Sequence, residues 1–168
     1  MKTRTIIILL LFLFRSSGTA QTLKFKGPDP KKAITQYTHE VWTSDNGLPQ
    51  NYVESIRQTK DGFLWLATQE GLVRFDGVQF TVFDKNNTPQ IRHNHIVSLT
   101  VDNHGTLWIA TLSEGLITYA NGIFTTVPNT PQLTGTQTRH LYTDFSGAVW
   151  VSTRDSGVIR IDSQSVTH

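Results

Sequence analysis

The sequence predicts an all-β protein, a partial β-propeller with about three four-stranded antiparallel blades and one leading strand. Trp65, Trp108 and Trp150 lie 43 and then 42 residues apart. A repeat of about 40 residues is typical of propellers and solenoids. Pairs such as Asp-Gly and Asn-Gly divide each repeat into short segments, at intervals that a helix would not tolerate. Short segments joined by tight turns indicate an antiparallel meander in each blade.

The first blade is predicted over about residues 50–84. Its strands cover 53–59, 63–68, 72–75 and 79–83, and each turn between them contains glycine. In the segment FLWLAT, which begins at Phe63, both alternating sets of side chains are largely apolar. A strand that is apolar on both faces is expected between two stacked sheets, so neighbouring blades should cover it.

The second and third blades are predicted over about 93–128 and 137–168, with the same order of strands and turns. The fourth strand of the third blade should align Val166 with Phe80, so that the sequence ends inside a strand. A leading strand is predicted over 38–49, because THEVWTSDNGLP precedes the first blade as QFTVFDKNNTP precedes the second. We expect this strand to complete another blade and close a ring.

Four positions recur in every blade and are predicted to be structural. The glycines should form turns, the tryptophans (together with Trp42) should fill the core, and the threonines should bond to nearby backbone. A role in stacking on sugars would need exposed tryptophans, and we favour the core interpretation. The positions are Gly62, Trp65, Thr68 and Gly71 in the first blade, Gly105, Trp108, Thr111 and Gly115 in the second, and Gly147, Trp150, Thr153 and Gly157 in the third.

Residues 1–20 are predicted to form a cleaved secretory signal. Lys2 and Arg4 precede an apolar run over 6–14, and small residues lead to a cleavage site between Ala20 and Gln21. The apolar run is about half the roughly 20 residues that a spanning helix needs. Residues 21–37 should be a flexible lead-in. The mature chain should therefore be periplasmic or secreted, without a membrane span, and the absence of cysteine means that it folds without disulfides.

The charge pattern argues against a nucleic-acid partner. The chain has 15 basic and 13 acidic residues, but three of the basic residues lie in the leader, which contains no acid. The remaining sequence has 12 basic residues against 13 acidic ones, without a basic stripe that could follow phosphates.

No catalytic, cofactor or metal site is predicted. His93 and His95 would share a strand face, but two histidines alone do not make a metal site. The sequon at 86–88 is a weak match in a bacterial secretory context. Five acids recur near turns and should cap those turns rather than act as paired catalytic carboxylates. They are Asp61, Asp76, Asp102, Asp144 and Asp162. The sequence thus predicts no enzyme and leaves the ligand-binding residues unknown.

The repeated pattern Gly-x-(Leu/Val)-Trp-(Leu/Ile/Val)-(Ala/Ser)-Thr, followed by Gly-(Leu/Val), resembles the two-component regulator propeller repeat. The segment VWTSDNGLPQNYVESI, residues 41–56, is similar to the segment that leads into the first blade in that family. The resemblance covers about residues 38–166. The family usually has glycine where this chain has Ala67, Ala110 and Ser152, a difference that should affect packing more than assignment.

The resemblance implies the periplasmic sensor region of a receptor of the hybrid histidine kinase or diguanylate cyclase type. Such a region would bind an unknown extracellular ligand, with a glycan fragment as one candidate, and would pack against remaining propeller blades or other copies. The sequence lacks the membrane span and output domain that the family implies, so we expect a sensor segment that ends before them. The alternatives are a secreted carbohydrate-binding or carbohydrate-active propeller, and a non-functional remnant of a disrupted sensor gene.

Overall fold

The computed structural model describes residues 31–37, 39–128, 130, 133–162 and, for the backbone, 166–167. The predicted signal, with its cleavage site at Ala20 and Gln21, and residues 21–30 of the lead-in lie outside the described residues. The chain divides into two units, residues 1–40 and 41–168. In the first unit the described residues contain one turn of 3₁₀ helix, Ile34–Gln36. Within the described part of the chain, no helix has the length and apolar character needed to cross a membrane.

The described part of the second unit contains twelve strands in three antiparallel sheets. In each sheet the four strands lie side by side in sequence order, which confirms the predicted all-β fold. The first sheet consists of β1 (Val53–Gln58), β2 (Leu64–Thr68), β3 (Gly71–Phe75) and β4 (Phe80–Phe83). The second consists of β5 (Ile96–Val101), β6 (Leu107–Thr111), β7 (Leu116–Ala120) and β8 (Ile123–Thr126). The third consists of β9 (Thr138–Thr143), β10 (Val149–Thr153), β11 (Val158–Ile161) and β12 (Val166–Thr167).

The repeated tryptophan occupies the same place in each sheet, on the second strand and opposite one residue of each neighbouring strand. The pairs around it are Arg57 and Arg74 for Trp65, Thr100 and Thr118 for Trp108, and Tyr142 and Arg160 for Trp150. The turn before it contains a glycine with φ of +93°, +91° and +87° in the three sheets, a conformation that residues with a Cβ rarely adopt. The three sheets are therefore copies of one structural unit.

Apolar cores join the sheets face to face. The core between the first and second sheets contains Trp65, Leu72 and Leu99. The core between the second and third sheets contains Ala110 and Val151. The first strands of neighbouring sheets, β1 with β5 and β5 with β9, are also in contact. We call the face of a sheet on the side of the preceding repeat its leading face, and the face on the side of the following repeat its trailing face.

A buried aliphatic residue before each blade is a repeat position that the sequence motif did not include. Leu48, Ile91 and Leu133 lie 43 and then 42 residues apart, and all three are buried. Ile91 belongs to the core between the first two sheets, and Leu133 to the next core. Leu48 packs against the leading face of the first sheet, beside Leu66 and Val73. Each of the three residues therefore packs against the leading face of its own blade.

The leading strand predicted over 38–49 is not formed in the described residues. Residues 39–43 have no regular structure, and residues 44–47 form a turn. The backbone N–H groups of Asn46 and Leu48 both donate to Thr43 O at 3.0 Å. A strand requires a hydrogen-bonded neighbour along its edge. None of the three described sheets pairs with this segment, so its backbone bonds locally instead.

The turn at 44–47 has the same hydrogen bonds as the turn that follows β4. Asn46 Oδ1 accepts from Thr43 N at 2.6 Å, and its Nδ2 donates to Val41 O at 2.7 Å. Asn87 makes the same two contacts with Asp84 N and Val82 O, at 3.0 and 2.9 Å. The local geometry that follows an outer strand is therefore present before the first blade, although the strand pairing is not.

The prediction that the tryptophans all fill the core is corrected for two of them. Trp65 is fully buried and Trp108 is half-buried, but Trp150 is 36% exposed and Trp42 is 43% exposed. The tryptophan of each blade lies on the trailing face, where the next sheet covers it. Tyr119 of the second sheet lies 4.7 Å from the Trp65 ring, whereas no described sheet follows the third one. Burial at this position therefore depends on the neighbouring sheet.

Candidate functional site

Each repeated indole donates a hydrogen bond to the residue six positions before it. Trp65 Nε1 donates to Thr59 Oγ1 at 3.0 Å, Trp108 Nε1 to Asp102 Oδ2 at 2.9 Å, and Trp150 Nε1 to Asp144 Oδ2 at 2.7 Å. The second oxygen of Asp102 accepts from the backbone N–H groups of His104 and Thr106, both at 2.9 Å. The aspartate therefore connects a capped turn to the tryptophan, which is a structural role.

Hydrogen bonds hold the carboxylates of Asp144 and Asp76 in the ionised form. Asp144 Oδ1 accepts from the Ser146 hydroxyl at 2.6 Å, and this bond, followed by the one from the Trp150 indole, lowers the pKa of Asp144 to about 2. The backbone N–H groups of Gln79 and Val78 lower the pKa of Asp76. A carboxyl group with a lowered pKa is a poor general acid near neutral pH. These positions therefore fit the predicted turn caps and not catalysis.

The other two acids that the sequence singled out bond to side chains. Asp61 Oδ1 accepts from the Thr59 hydroxyl at 2.5 Å, and Asp162 forms an ion pair with Arg160. These two bonds are made to side chains and not to the backbone N–H groups of a turn. All five acids nevertheless have partners inside the repeat.

The repeated threonines connect the second strand of each sheet to the third. Their hydroxyl groups donate to the backbone oxygen of the glycine at or just before the start of the next strand, and they also accept a backbone N–H from the turn. The donor bonds are Thr68 to Gly71 at 2.8 Å, Thr111 to Gly115 at 3.0 Å and Thr153 to Gly157 at 3.0 Å. These groups are thus used within the fold and are not available as nucleophiles.

Hydrogen bonds between the sheets also repeat. Ser55 Oγ accepts from Leu99 N at 3.3 Å, and Ser98 Oγ accepts from Leu141 N at 3.0 Å. The sequence could have revealed this bond between sheets, because the two serines lie 43 residues apart. A second link joins the turns that follow the first strands, which we call the lower turns. There Lys60 Nζ donates to Asn103 O at 3.0 Å, and Asn103 Nδ2 donates to Phe145 O at 3.4 Å.

The opposite end of the blades, where the first strands begin, carries polar side chains that the repeat does not require. We call this end the upper surface, and it contains Glu54, His93, His95, Gln137, Arg139 and Arg154. Glu54 Oε1 of the first blade contacts His95 Nε2 of the second. His93 Nδ1 accepts from His95 N at 3.1 Å. The period of the sequence could not reveal this contact, because the other blades have different residues at these positions.

In the third blade, two guanidinium groups of the upper surface share one amide oxygen. Gln137 Oε1 accepts from Arg139 Nη2 at 3.1 Å and from Arg154 Nη1 at 3.2 Å. Arg154 Nε lies 3.9 Å from Asp155 Oδ1, and both side chains are largely exposed. Each guanidinium has five donors, so donors remain that can bind hydroxyl or carboxylate groups. Among the described residues, no group of three or more His, Cys, Asp or Glu could hold a metal ion.

A cleft of about 590 Å³ lies between the second and third sheets at the lower turns. Asp102, His104, Trp108 and Arg160 line it. The equivalent space between the first and second sheets is only about 230 Å³. There the Tyr119 ring lies 4.7 Å from the ring of the first tryptophan, whereas the third sheet has isoleucine at the same position. The smaller side chain leaves a cleft of the size that small ligands occupy.

Two segments of the chain match the family described as two component regulator propeller, residues 47–70 and 90–113. The segments contain the first two repeated tryptophans and the strands that carry them. This match confirms the resemblance inferred from the repeat pattern.

Proteins similar to this chain include a histidine kinase and the extracellular domains of two signalling systems. The chain is 36% identical over 56 residues to histidine kinase P4 of Formosa agariphila. It is 32% identical to the extracellular domain of a hybrid two component system from B. thetaiotaomicron, with a TM-score of 0.67 over 77% of this chain. It is 26% identical to the extracellular domain of a one component system from the same organism, with a TM-score of 0.55 over 71% of this chain.

The chain spans only a small part of these proteins. The matched region is 33% of this chain and 4% of the histidine kinase. The two solved extracellular domains are covered over 20% and 18% of their length. The similarity therefore concerns the propeller blades and not the other parts of those proteins.

Proposed function

Because this chain carries two-component regulator propeller repeats, we propose that it is an extracytoplasmic ligand-recognition segment of a two-component-type receptor. The observation that carries the proposal is the similarity in both sequence and fold to the extracellular domain of a hybrid two component system. The output domain and membrane span of such a receptor would be supplied by further sequence. The similarity to much longer proteins supports this part of the proposal, because the chain spans only a small part of each of them.

The upper surface is the candidate ligand-binding surface. It contains hydrogen-bond donors and acceptors from all three blades, and the contacts there do not repeat from blade to blade. Residues that differ between blades are not needed for the hydrogen bonds that recur in the lower turns, so they can serve to bind a ligand. The paired guanidinium groups of Arg139 and Arg154 suit ligands with hydroxyl or carboxylate groups, and a glycan fragment is the candidate class.

Binding can be tested with a panel of neutral and uronic-acid-containing oligosaccharides. The chain should bind members of the panel that are immobilised on an array, and calorimetry should then give the affinity for each of them. Gln137→Ala and Arg154→Ala should weaken binding about tenfold each, as expected for the loss of hydrogen bonds to a ligand. Thr81→Ala, a change of an exposed residue on β4, is the matched control. Loss of binding in His104→Ala, with the upper-surface variants unaffected, would move the site to the lower cleft.

Export is the second part of the proposal. The charged start, the short apolar run and the small residues before Gln21 support a leader that is removed after export. In a bacterial host the chain should be found in the periplasm or the medium, with Gln21 as its first residue. Ala20→Lys should block removal of the leader, whereas Ala33→Lys, beyond the leader, should not. An unprocessed chain in the cytoplasm would contradict the proposed location.

A further inference from the structure

The cleft between the second and third sheets is the counterpart of a filled space between the first and second. Tyr119 and Ile161 have the same register, each opposite the first residue of the second strand in its sheet. Tyr119 contacts the ring of Trp65, whereas Ile161 lines the cleft together with Trp108. An aromatic ring therefore occupies the first space, and the second space has a smaller aliphatic group in its place.

The ring in the filled space belongs to a cluster of aromatic side chains. The Tyr119 ring lies 4.7 Å from the Trp65 ring and 4.7 Å from the Phe124 ring, with tilted planes. Such contacts between rings are favourable beyond the apolar area that they bury. Trp108 is half-buried, and no ring of the described residues packs against it. The second space thus lacks the partner that its tryptophan has at the first contact.

The cleft beside Trp108 has room for the missing ring. Its volume of about 590 Å³ is more than twice the 230 Å³ of the space that Tyr119 lines. A volume of this size is within the range of small-molecule pockets. Since the indole and Ile161 supply apolar surface at the cleft, a flat ring that displaces water from them would be stabilised there.

Polar side chains at the cleft indicate which substituent the ring carries. His104 and Ser146 line the cleft and are exposed, and each can donate or accept a hydrogen bond. The carboxylates of Asp102 and Asp162 line it too, together with the guanidinium of Arg160, which pairs with Asp162. Two carboxylates and one guanidinium leave an excess of negative charge, which disfavours an anionic ligand. A neutral hydroxyl group is therefore the substituent that fits.

We propose that this cleft binds a neutral hydroxylated aromatic ring, which lies beside Trp108 as the Tyr119 ring lies beside Trp65. The ring contacts the indole, and its hydroxyl group bonds to His104 or Ser146. The cleft is separate from the upper surface, because it lies among the lower turns at the opposite end of the blades. The inference does not rest on the proposed receptor function, since both sheets that form the cleft belong to the described residues.

Binding can be tested with 4-methylphenol, which has the ring and the hydroxyl group of a tyrosine side chain. In NMR spectra of the full 168-residue chain, its addition should shift the indole N–H signal of Trp108 and leave that of Trp65 unchanged. The variant Trp108→Phe identifies the signal. A ligand of this size should bind with a Kd on the order of 1 mM. The saturated analogue 4-methylcyclohexanol should bind roughly three- to tenfold more weakly, because it lacks the contact between rings.

Exchanging the residues at the two equivalent positions should move the site. Ile161→Tyr should abolish the shift of the Trp108 signal, because the new side chain fills the cleft as Tyr119 fills the first space. Tyr119→Ile should open a second site, so that the Trp65 signal shifts as well. Val78→Tyr adds the same side chain in an exposed turn and should bind as the wild type does. The gain of a site in Tyr119→Ile keeps the test valid even if Ile161→Tyr does not fold.

Several results would overturn the proposal. An unchanged Trp108 signal at the solubility limit of 4-methylphenol would mean that the cleft does not bind the ring. Equal affinity for 4-methylcyclohexanol would make the cleft a general apolar pocket, and equal binding by a folded Ile161→Tyr variant would place the ligand elsewhere. Displacement of 4-methylphenol by an oligosaccharide would assign the cleft to glycan binding instead. The receptor function is tested by export and by oligosaccharide binding, so its failure can be distinguished from these results.

Discussion

The indole nitrogen of Trp108 lies 2.9 Å from Asp102 Oδ2, and this contact connects a lower turn to the centre of its blade. The first blade makes the same connection with two residues instead of one. Thr59 Oγ1 accepts from the Trp65 indole at 3.0 Å and donates to Asp61 Oδ1 at 2.5 Å. A hydroxyl group can accept and donate at once, so a Thr–Asp pair can replace a single aspartate.

The first prediction exchanges these two arrangements. Asp102→Ala should lower the free energy of unfolding by about 1–3 kcal/mol, because the indole and two backbone N–H groups lose their acceptor. Asp102→Thr combined with His104→Asp should recover part of that loss, since it reproduces the first blade. Urea denaturation of the two variants and of Asp102→Thr alone measures the difference. A double variant no more stable than Asp102→Ala would mean that the two arrangements are not interchangeable.

The second prediction concerns acid stability. The Ser146 hydroxyl and the Trp150 indole lower the pKa of Asp144 to about 2, below the ordinary value of 3.8. A group with a lowered pKa in the folded state contributes stability above its ordinary pKa, and this contribution is lost as the pH falls toward the folded value. Between about pH 4 and pH 2, Asp144→Asn should therefore lose less stability than the wild type. Thermal melts over this range measure the slope, with Asp155→Asn at an exposed position as the control. Equal slopes in wild type and Asp144→Asn would contradict the prediction.

The blades could be predicted from the sequence because the same pattern of glycine, tryptophan and threonine appears three times. The turn glycines shape their own turns, and the tryptophan and the threonine make their hydrogen bonds within one blade, so their spacing alone reveals them. The exposure of Trp150 could not be predicted in this way. Its hydrogen bond to Asp144 is local, but its burial requires a following sheet, which the described residues do not contain.

The repeat pattern does not predict the upper surface, for a related physical reason. Glu54 contacts His95, and Gln137 contacts Arg154, through side chains that differ between blades. A repeat pattern carries no information about residues that depart from it. The leading segment shows a second limit of the repeat pattern, because it keeps the local bonds of its repeat position without forming a strand. Asn46 has the bonds of Asn87, but residues 39–43 find no neighbouring strand with which to pair.

The third prediction compares two equivalent glycines. Gly71 has φ of +141°, and a Cβ there would lie 2.6 Å from Phe83 O, whereas Gly157 has φ of +71° and no atom within 4 Å of an added Cβ. Gly157→Ala should cost about 1 kcal/mol, the strain of a left-handed residue with a side chain. Gly71→Ala should cost more than about 2 kcal/mol, because backbone atoms must also move. Chemical denaturation of both variants gives the comparison. Similar losses would show that the hairpin after β2 adapts more easily than its contacts suggest.

The last prediction uses two residues at the same position in different blades. Leu99 is fully buried between the first and second sheets, whereas Ile56 is 52% exposed on the leading face of the first sheet. Leu99→Ala should cost about 2–5 kcal/mol, because it removes apolar contacts and leaves a cavity. Ile56→Ala should change stability by less than about 0.5 kcal/mol, as is usual at the surface. A large loss for Ile56→Ala would mean that the leading segment covers Ile56 more completely than the structure shows.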